Sequence, residues 1–285
     1  MGSYISSIKI RILVFVFLLF IFVSCTKAKD NVNQKRIKVN PHTAQRFYDI
    51  TKIGVDKVNV SILTEQPEPD RYKVYTDAKK IKLSLPNFKG LSLEEIILKR
   101  RSKRQSESFS GEAVSLDELS QLLFSASGIT GRNKALELRA APSAGATYPI
   151  EIYLVVNDVS GLARGIYHYA VKEYALELIC EGDFRDKIEH AVMGQSGVRD
   201  SGVVFVFSAI PGRTTKKYDL RGWRYVYMEV GYISENLYLE ATSLGLSTTA
   251  MGAFYDDELN QLLGLDGREE MALHVQVFGG KDAVR

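Results

Sequence analysis

The stretch RAAPSAGATYPIEIYLVV, Arg139 to Val156, joins two unlike halves. Its second half, Ile150 to Val156, is an apolar run rich in β-branched residues and reads as a buried strand. Its first half is a run of small residues held between Pro142 and Pro149. Ala144 and Gly145 carry almost no side chain, so main-chain N–H groups there can approach a flat or charged ligand. Ser143 adds one hydroxyl donor and acceptor. The same residues also make an ordinary proline-bounded loop, and the stretch alone does not decide between the two.

Outward from this strand the chain alternates between helices and strands. Ser92-Leu93-Glu94-Glu95 and Ser115-Leu116-Asp117-Glu118 are capping boxes, each opening a helix. The first is predicted to reach about Arg101, the second to run to Ala126. Strands are expected at 150–156, 165–170, 174–180, 203–209, 247–252 and 271–278, with a hairpin turn at Val171-Lys172-Glu173. Helices are expected at about 183–193 and 256–263. Between them, residues 222–244 place Val226, Val230, Ile233, Leu237, Ala241 and Leu244 on one helical face. Tyr225, Met228, Tyr232 and Leu239 add apolar surface elsewhere on that helix, which suits a core helix or one that packs on a second subunit. The order predicts an α+β fold with a mostly antiparallel sheet.

The 285 residues are 45% hydrophobic and 25% charged, an ordinary globular composition, and the net charge of +3 is too small to argue for a nucleic-acid partner. Lys9 and Arg11 precede an uncharged apolar run from Ile12 to Ser24, shorter than the roughly 20 residues of a membrane span. Residues 1–24 therefore read as a secretion signal. Cys25 follows a small residue at its end, the arrangement of a lipoprotein signal with Cys25 lipidated, although Phe22 stands where leucine is usual; an ordinary signal peptide with an incidental cysteine is the alternative. The expected location is exported and membrane-anchored. Residues 25–85 are a polar tether and a small lead-in containing the strand-like pieces VNVSIL and RYKVYT, and residues 86–285 form the main domain. The other cysteine, Cys180, has no partner left for an internal disulfide, and the four histidines show no metal-ligand spacing.

Two further short motifs are chemically suggestive. Lys99-Arg100-Arg101-Ser102-Lys103-Arg104 offers guanidinium forks and a hydroxyl to a phosphate, or else simply complements a helix C-terminus. Gly245 to Phe254, GLSTTAMGAF, is a second small-residue run suited to lining a planar ligand.

These motifs, in this order, resemble the nitroreductase-like flavoproteins. The order is Arg-Arg-Ser-X-Arg, then Pro-Ser-Ala-Gly before a strand, Arg-Tyr on a long helix, Gly-Leu-Ser, and a terminal Val-X-Val-X-Gly. The segments APSAGATYPIEIYLVV, GIYHYAVKEYALELI and KYDLRGWRYVYMEVGYISENLYLEAT are similar to the SagB/ThcOx-type branch, which includes azoline dehydrogenases. The resemblance spans about residues 91–281. It implies a nitroreductase-like fold, a homodimer with the long helix at its interface, and FMN bound between subunits. It implies cofactor contacts from Arg100, Arg101, Ser102 and Arg104, from Pro142, Ser143, Ala144 and Gly145, and from Thr249, Ala250, Met251 and Gly252. Many family members carry a further basic phosphate contact in a C-terminal tail, for which Lys281 and Arg285 are both candidates. It also places Lys217 and Tyr218 at the branch's catalytic Lys-Tyr pair, where a lysine and a phenol could move a proton. A surface Lys-Tyr before a helix is the plainer alternative. There is no G-x-G-x-x-G fingerprint of a dinucleotide fold.

The implied activity is hydride transfer between FMN and a small or peptide-derived substrate. NAD(P)H is scarce outside the cytosol, so an exported enzyme is expected to oxidise its substrate and pass electrons to oxygen or a quinone-linked carrier. The competing expectation is a non-catalytic flavin- or ligand-binding lipoprotein that keeps the fold.

Overall fold

The computed structural model describes residues 42–53, 69–103, 109, 112–133 and 136–281. The signal segment, Cys25, most of the tether, VNVSIL, Arg104 and Arg285 lie outside the described residues. Residues 48–285 form one compact unit. Of residues 1–47, those described are helical, within α1 (His42–Thr51).

The centre of the unit is a seven-stranded sheet in the order β1-β8-β7-β5-β9-β11-β10. These strands are β1 (Lys79–Lys82), β5 (Ile150–Val156), β7 (Gly165–Ala170), β8 (Ala175–Glu181), β9 (Val203–Ala209), β10 (Leu246–Met251) and β11 (Met271–Lys281). Every pairing in the sheet is antiparallel. Short strands β2 (Val114–Ser115) and β6 (Val159–Ser160) pair in parallel, while β3 (Ile129–Asn133) and β4 (Leu136–Arg139) make a separate hairpin.

Both faces of the sheet are covered, which is why β5 and β9 are buried along their whole length. Side chains alternate between faces along a strand. Ile150, Ile152 and Leu154 of β5 join one core with Leu119, Leu122 and Leu123 of α3 (Leu116–Ser127) and with Val226, Ile233 and Leu237 of the long helix. Tyr153 and Val155 join the opposite core with Ile188 of α4 (Arg185–Ala191) and Leu259 and Leu263 of α7 (Asp256–Leu263). The long helix, α6, runs from Gly222 to Leu244 as the periodicity predicts.

Both capping boxes form. Ser92 caps α2 (Leu93–Lys99) with Glu95 returning the bond, and Ser115 caps α3 with Glu118. Helix α2 ends at Lys99, short of Arg101, which frees Arg100 and Arg101 from the helix. RYKVYT is not a strand. The lead-in instead contributes KKIK, which is β1 at the sheet edge, and residues 69–77 lie against the main body through Arg71, Tyr72 and Lys73. The segment before α6, for which no element is predicted above, contains helix α5 (Gly212–Tyr218).

Candidate active site

The loop from Pro142 to Pro149 is tightly wound. Ala144–Ala146 make a single 3-10 turn, and Gly145, Ala146 and Tyr148 all have positive φ, at 61°, 54° and 47°. Only Gly takes that conformation without strain, and clustered strain of this kind marks ligand clamps and active sites more than plain connections. Local bonds hold it. The Tyr148 N–H donates to Ser143 Oγ at 2.9 Å, and Thr147 Oγ1 lies 3.0 Å from the Ala144 carbonyl and 2.8 Å from Thr214 Oγ1.

Thr214 belongs to α5, and α5 delivers the predicted Lys-Tyr pair to this loop. Lys217 Nζ lies 3.5 Å from the Gly145 carbonyl oxygen. A Cβ built on Gly145 would stand 2.5 Å from both Lys217 Nζ and Tyr218 Oη. Gly145 is therefore small because the lysine and the phenol occupy the space beside it. Tyr218 is steadied edge-on by Tyr225 of α6, with ring centres 5.0 Å apart. Directly after it, Asp219 turns the chain with φ 52°, a further strained residue beside the pair.

A second group forms where α2 ends. Ser102 Oγ lies 3.0 Å from Tyr238 Oη, and that phenol oxygen accepts the Ala250 N–H at 2.8 Å. The Lys103 N–H donates to the Thr248 carbonyl at 3.0 Å. The Arg100 guanidinium sits 5.2 Å from the centre of the Tyr238 ring. The end of α2, through Ser102, Lys103 and Arg100, is thus joined to Ala250 and Thr248 on β10 by way of Tyr238 and the Lys103 N–H. Arg101 is exposed, and its guanidinium donates to the Arg100 carbonyl. Gly252 is exposed, with nothing within 4 Å of where a side chain would begin. The Lys281 backbone pairs opposite Leu246 at the start of β10; its side chain, with Arg104, falls outside the described residues. The two groups share no residue. Tyr238, which joins the second, was missed from sequence, although it lies on the long helix whose neighbours drew attention.

Behind the first group lie two buried glutamates in opposite circumstances. Arg213, one helical turn before Lys217, bonds the Asp70 carbonyl at 2.7 Å, the Tyr148 carbonyl at 3.1 Å and Glu151 Oε1 at 2.6 Å. Glu151 Oε2 is 3.2 Å from His168 Nε2, and His168 Nδ1 is 2.9 Å from Glu177 Oε2. Lys80 Nζ closes the row 3.3 Å from Glu177 Oε1. Burial opposes charge on Glu151, but the hydrogen bond of His168 and the charge of Arg213 hold its carboxyl down at about 2. Burial likewise lowers the His168 pKa, and the two carboxylates outweigh it, leaving that pKa raised.

Glu229, on α6 beside Val226 and Val230, is 4% exposed, and the Ser143 hydroxyl favours its charged form. Among the described residues no cation pairs with it in contact. Burial lifts its carboxyl to about 7, against the lowering pull of the Ser143 hydroxyl and of the Arg139 and Arg213 charges. Arg139 is itself buried, with its guanidinium 4.5 Å over the Tyr148 ring. The sequence carried a signal for Glu229: Val226, Glu229, Val230 and Ile233 follow i, i+3, i+4, i+7, so a carboxylate occupies a core-facing position.

The donor set fits FMN. Guanidinium groups and the Ser102 hydroxyl suit its phosphate, and bare main chain at Gly252 and the loop at 142–145 suit its ring. No group of three or more His, Cys, Asp or Glu among the described residues is placed to hold a metal ion.

Comparison with known proteins identifies the family. The nitroreductase family profile matches residues 97–281. A protein of Methanocaldococcus jannaschii named for that family is 39% identical over 183 residues, covering 64% of this chain and 89% of the relative. The microcin B17-processing protein of Escherichia coli is 30% identical over 146 residues, 50% of this chain and 54% of that protein. Among solved structures, a nitroreductase-like protein of Anabaena variabilis superposes with a TM-score of 0.68 at 26% identity, covering 89% of this chain and 50% of the other. This chain thus spans about half of the microcin-processing protein and half of the Anabaena chain.

Proposed function

The chain belongs to the nitroreductase family, and from that premise we propose that it is an FMN-dependent oxidoreductase of the SagB/ThcOx-type branch, working as a homodimer on an exported lipid anchor at Cys25. The observation that carries the proposal is the meeting of Lys217 and Tyr218 with the strained loop at Gly145. Bound flavin supplies hydride acceptance at its ring. The chain's own residues do the rest. Arg100, Arg101, Ser102 and Arg104 would bind phosphate, with Lys281 as a further cation. Thr249 to Gly252 and Pro142 to Gly145 would line the ring with main chain. Lys217 and Tyr218 would hold and move the substrate's proton, since an amine nitrogen and a phenolate oxygen can each accept one and pass it on.

A peptide-derived substrate is favoured by the microcin-processing relative. The homodimer is supported by α6, where Tyr227, Met228 and Tyr232 stay about half exposed in the single chain. Among the described residues no helix is long and apolar enough to cross a membrane, so an anchor would come from the region around Cys25.

The decisive experiment is the absorbance spectrum of the full chain purified in detergent. The expected result is a yellow protein with FMN that dithionite bleaches and an acceptor restores. A colourless chain that takes up no FMN would favour a non-catalytic ligand-binding protein. Light scattering tests the dimer: a monomeric mass at full flavin occupancy refutes it.

A further inference from the structure

Residues 69–75 have no task in the scheme above, and they precede the segment matched by the family profile, which begins at residue 97. They are nonetheless bonded at both ends. At one end Lys73 pairs with Glu270 and lies 2.7 Å from Tyr153 Oη, and the Tyr75 N–H donates to Glu177 Oε2 at 3.2 Å. Glu270, just before β11, also accepts from Tyr153 Oη at 3.0 Å and from Ser208 Oγ at 2.6 Å. With Tyr153 on β5, Glu177 on β8 and Ser208 on β9, this end is fastened to the sheet.

The other end is fastened to the candidate site. The Asp70 carbonyl accepts from Arg213 Nε at 2.7 Å, and the same guanidinium bonds the Tyr148 carbonyl at 3.1 Å. The Arg71 guanidinium donates to the Glu137 carbonyl at 3.2 Å and stands 5.6 Å from the centre of the Tyr148 ring. A Cβ built on Gly212, the first residue of α5, would stand 3.0 Å from Pro69 Cγ, so the segment lies directly against the start of that helix. Tyr148 closes the strained loop, and Arg213 precedes Lys217 by one helical turn. Loop and helix, the two halves that meet at Gly145, therefore share one support.

We propose that residues 69–75 are a positioning strap: anchored on the sheet by Lys73 and Tyr75, they hold α5 and the 142–149 loop together so that Lys217 and Tyr218 stay beside Gly145. Neither half is well made to keep its place alone. The loop carries three positive φ angles within residues 145–148, and strained backbone persists only where its surroundings hold it. Helix α5 is seven residues long, too short to be stable by itself. A segment bonded at its far end to buried carboxylates supplies the outside hold that both need. Lys73, Arg71 and the Asp70 carbonyl act through Arg213 and Tyr148 and are positioning groups, not catalytic ones. The catalytic meaning of the position rests on the flavin reading, whereas the hold on the loop does not.

The test compares wild type, Lys73→Met and Lys80→Met as full chains in detergent, with and without FMN, by amide hydrogen exchange and by trace acetylation with acetic anhydride. Lys80 pairs with Glu177 from β1, so its loss disturbs the same buried row without touching the strap. In Lys73→Met, Glu270 keeps Tyr153 and Ser208 as donors, which favours folding. In that variant the amides of residues 146–148 and 214–218 should exchange roughly tenfold faster than in wild type, the scale of one lost charge-assisted bond, while those of residues 203–209 keep their wild-type rates. Lys217 should also acetylate faster relative to the exposed Lys89. Lys80→Met should leave both site readouts at wild-type values. Unchanged site amides in Lys73→Met, or the same general loosening in both variants, overturns the strap. Should Lys73→Met not fold, Arg71→Met, which leaves Lys73 on Glu270, is read by the same two outcomes. Selective loosening in a chain that binds no FMN upholds the strap and sinks the flavin reading. The absence of selective loosening in a yellow chain does the reverse.

Discussion

Glu151 and Glu229 are both buried glutamates close to the same loop, yet they lie on opposite faces of β5. Glu151 alternates with Ile150 and Ile152, which face α6. It is therefore turned to the face that also carries Tyr153, where it lies in a row of alternating charge from Arg213 through His168 and Glu177 to Lys80. Glu229 is on the α6 side with a hydroxyl for company. The first carboxyl is held at about 2 and the second lifted to about 7. Burial acts alike on both, so what separates them is whether an opposite charge is bonded in place. A fully paired row fixes a structure, and an unpaired acid remains able to change state.

The largest expected effect breaks the paired side. Arg213→Met leaves Glu151 with one partner fewer in a buried site, and removing one member of a buried pair costs about 3–5 kcal/mol. Denaturant melts should show a loss of that order, whereas Glu229→Gln at about pH 8 should be neutral or stabilising, because it removes a buried charge. Comparable losses in both variants would erase the distinction.

On the ligand side, Arg100→Ala should weaken FMN binding by tenfold or more, because a charge-assisted bond to phosphate is worth about 1.5–3 kcal/mol. Equilibrium dialysis measures it, and unchanged occupancy would remove Arg100 from the phosphate site. Gly145→Val is smaller in stability and larger in consequence. A β-branched residue at φ 61° is strained by roughly 1–2 kcal/mol, and its Cβ would push Lys217 and Tyr218 aside. Both the apo melting temperature and turnover should fall. A drop in melting temperature with full turnover would show that the lysine and phenol need no fixed place.

The smallest effect sharpens the comparison through pH. Glu229 binds its proton more tightly folded than unfolded, so its contribution to stability is complete below the ordinary carboxylate range and is lost as pH rises through about 7. Glu151 has the opposite sign: its contribution is present above that range and is lost as pH falls toward about 2. His168, with a raised pKa, also loses stability as pH rises. The contribution of Glu229 is thus the difference between wild-type and Glu229→Gln melting curves between about pH 5 and 8, which should narrow in favour of the variant as pH rises. A flat difference would place the Glu229 carboxyl outside that window.

The legible parts of the sequence were those where local signals and burial agree. Both capping boxes, the buried strands 150–156 and 203–209, and the whole of α6 stand where the pattern puts them. The parts missed lack that agreement. Helix α5, GRTTKKY, begins with Gly and holds two threonines, so its propensity is weak and contacts with α6 and the loop sustain it. Strands β3 and β4 are short, largely exposed and polar. The pairing of Lys217 with Gly145 spans 72 residues and leaves no mark on either segment alone. The resemblance named both halves, and the fold brought them together.

Strand β1 deserves a last consequence. It ends the seven-stranded sheet, its sequence is KKIK, and Lys79, Lys80 and Lys82 are all exposed. An open strand edge is a template on which another copy can build, and lysines along it repel that second edge. If the proposed lipid anchor tethers the chain, neighbours would meet far more often than they do in bulk. A positively charged rim would then let copies crowd together without fusing their sheets into fibres.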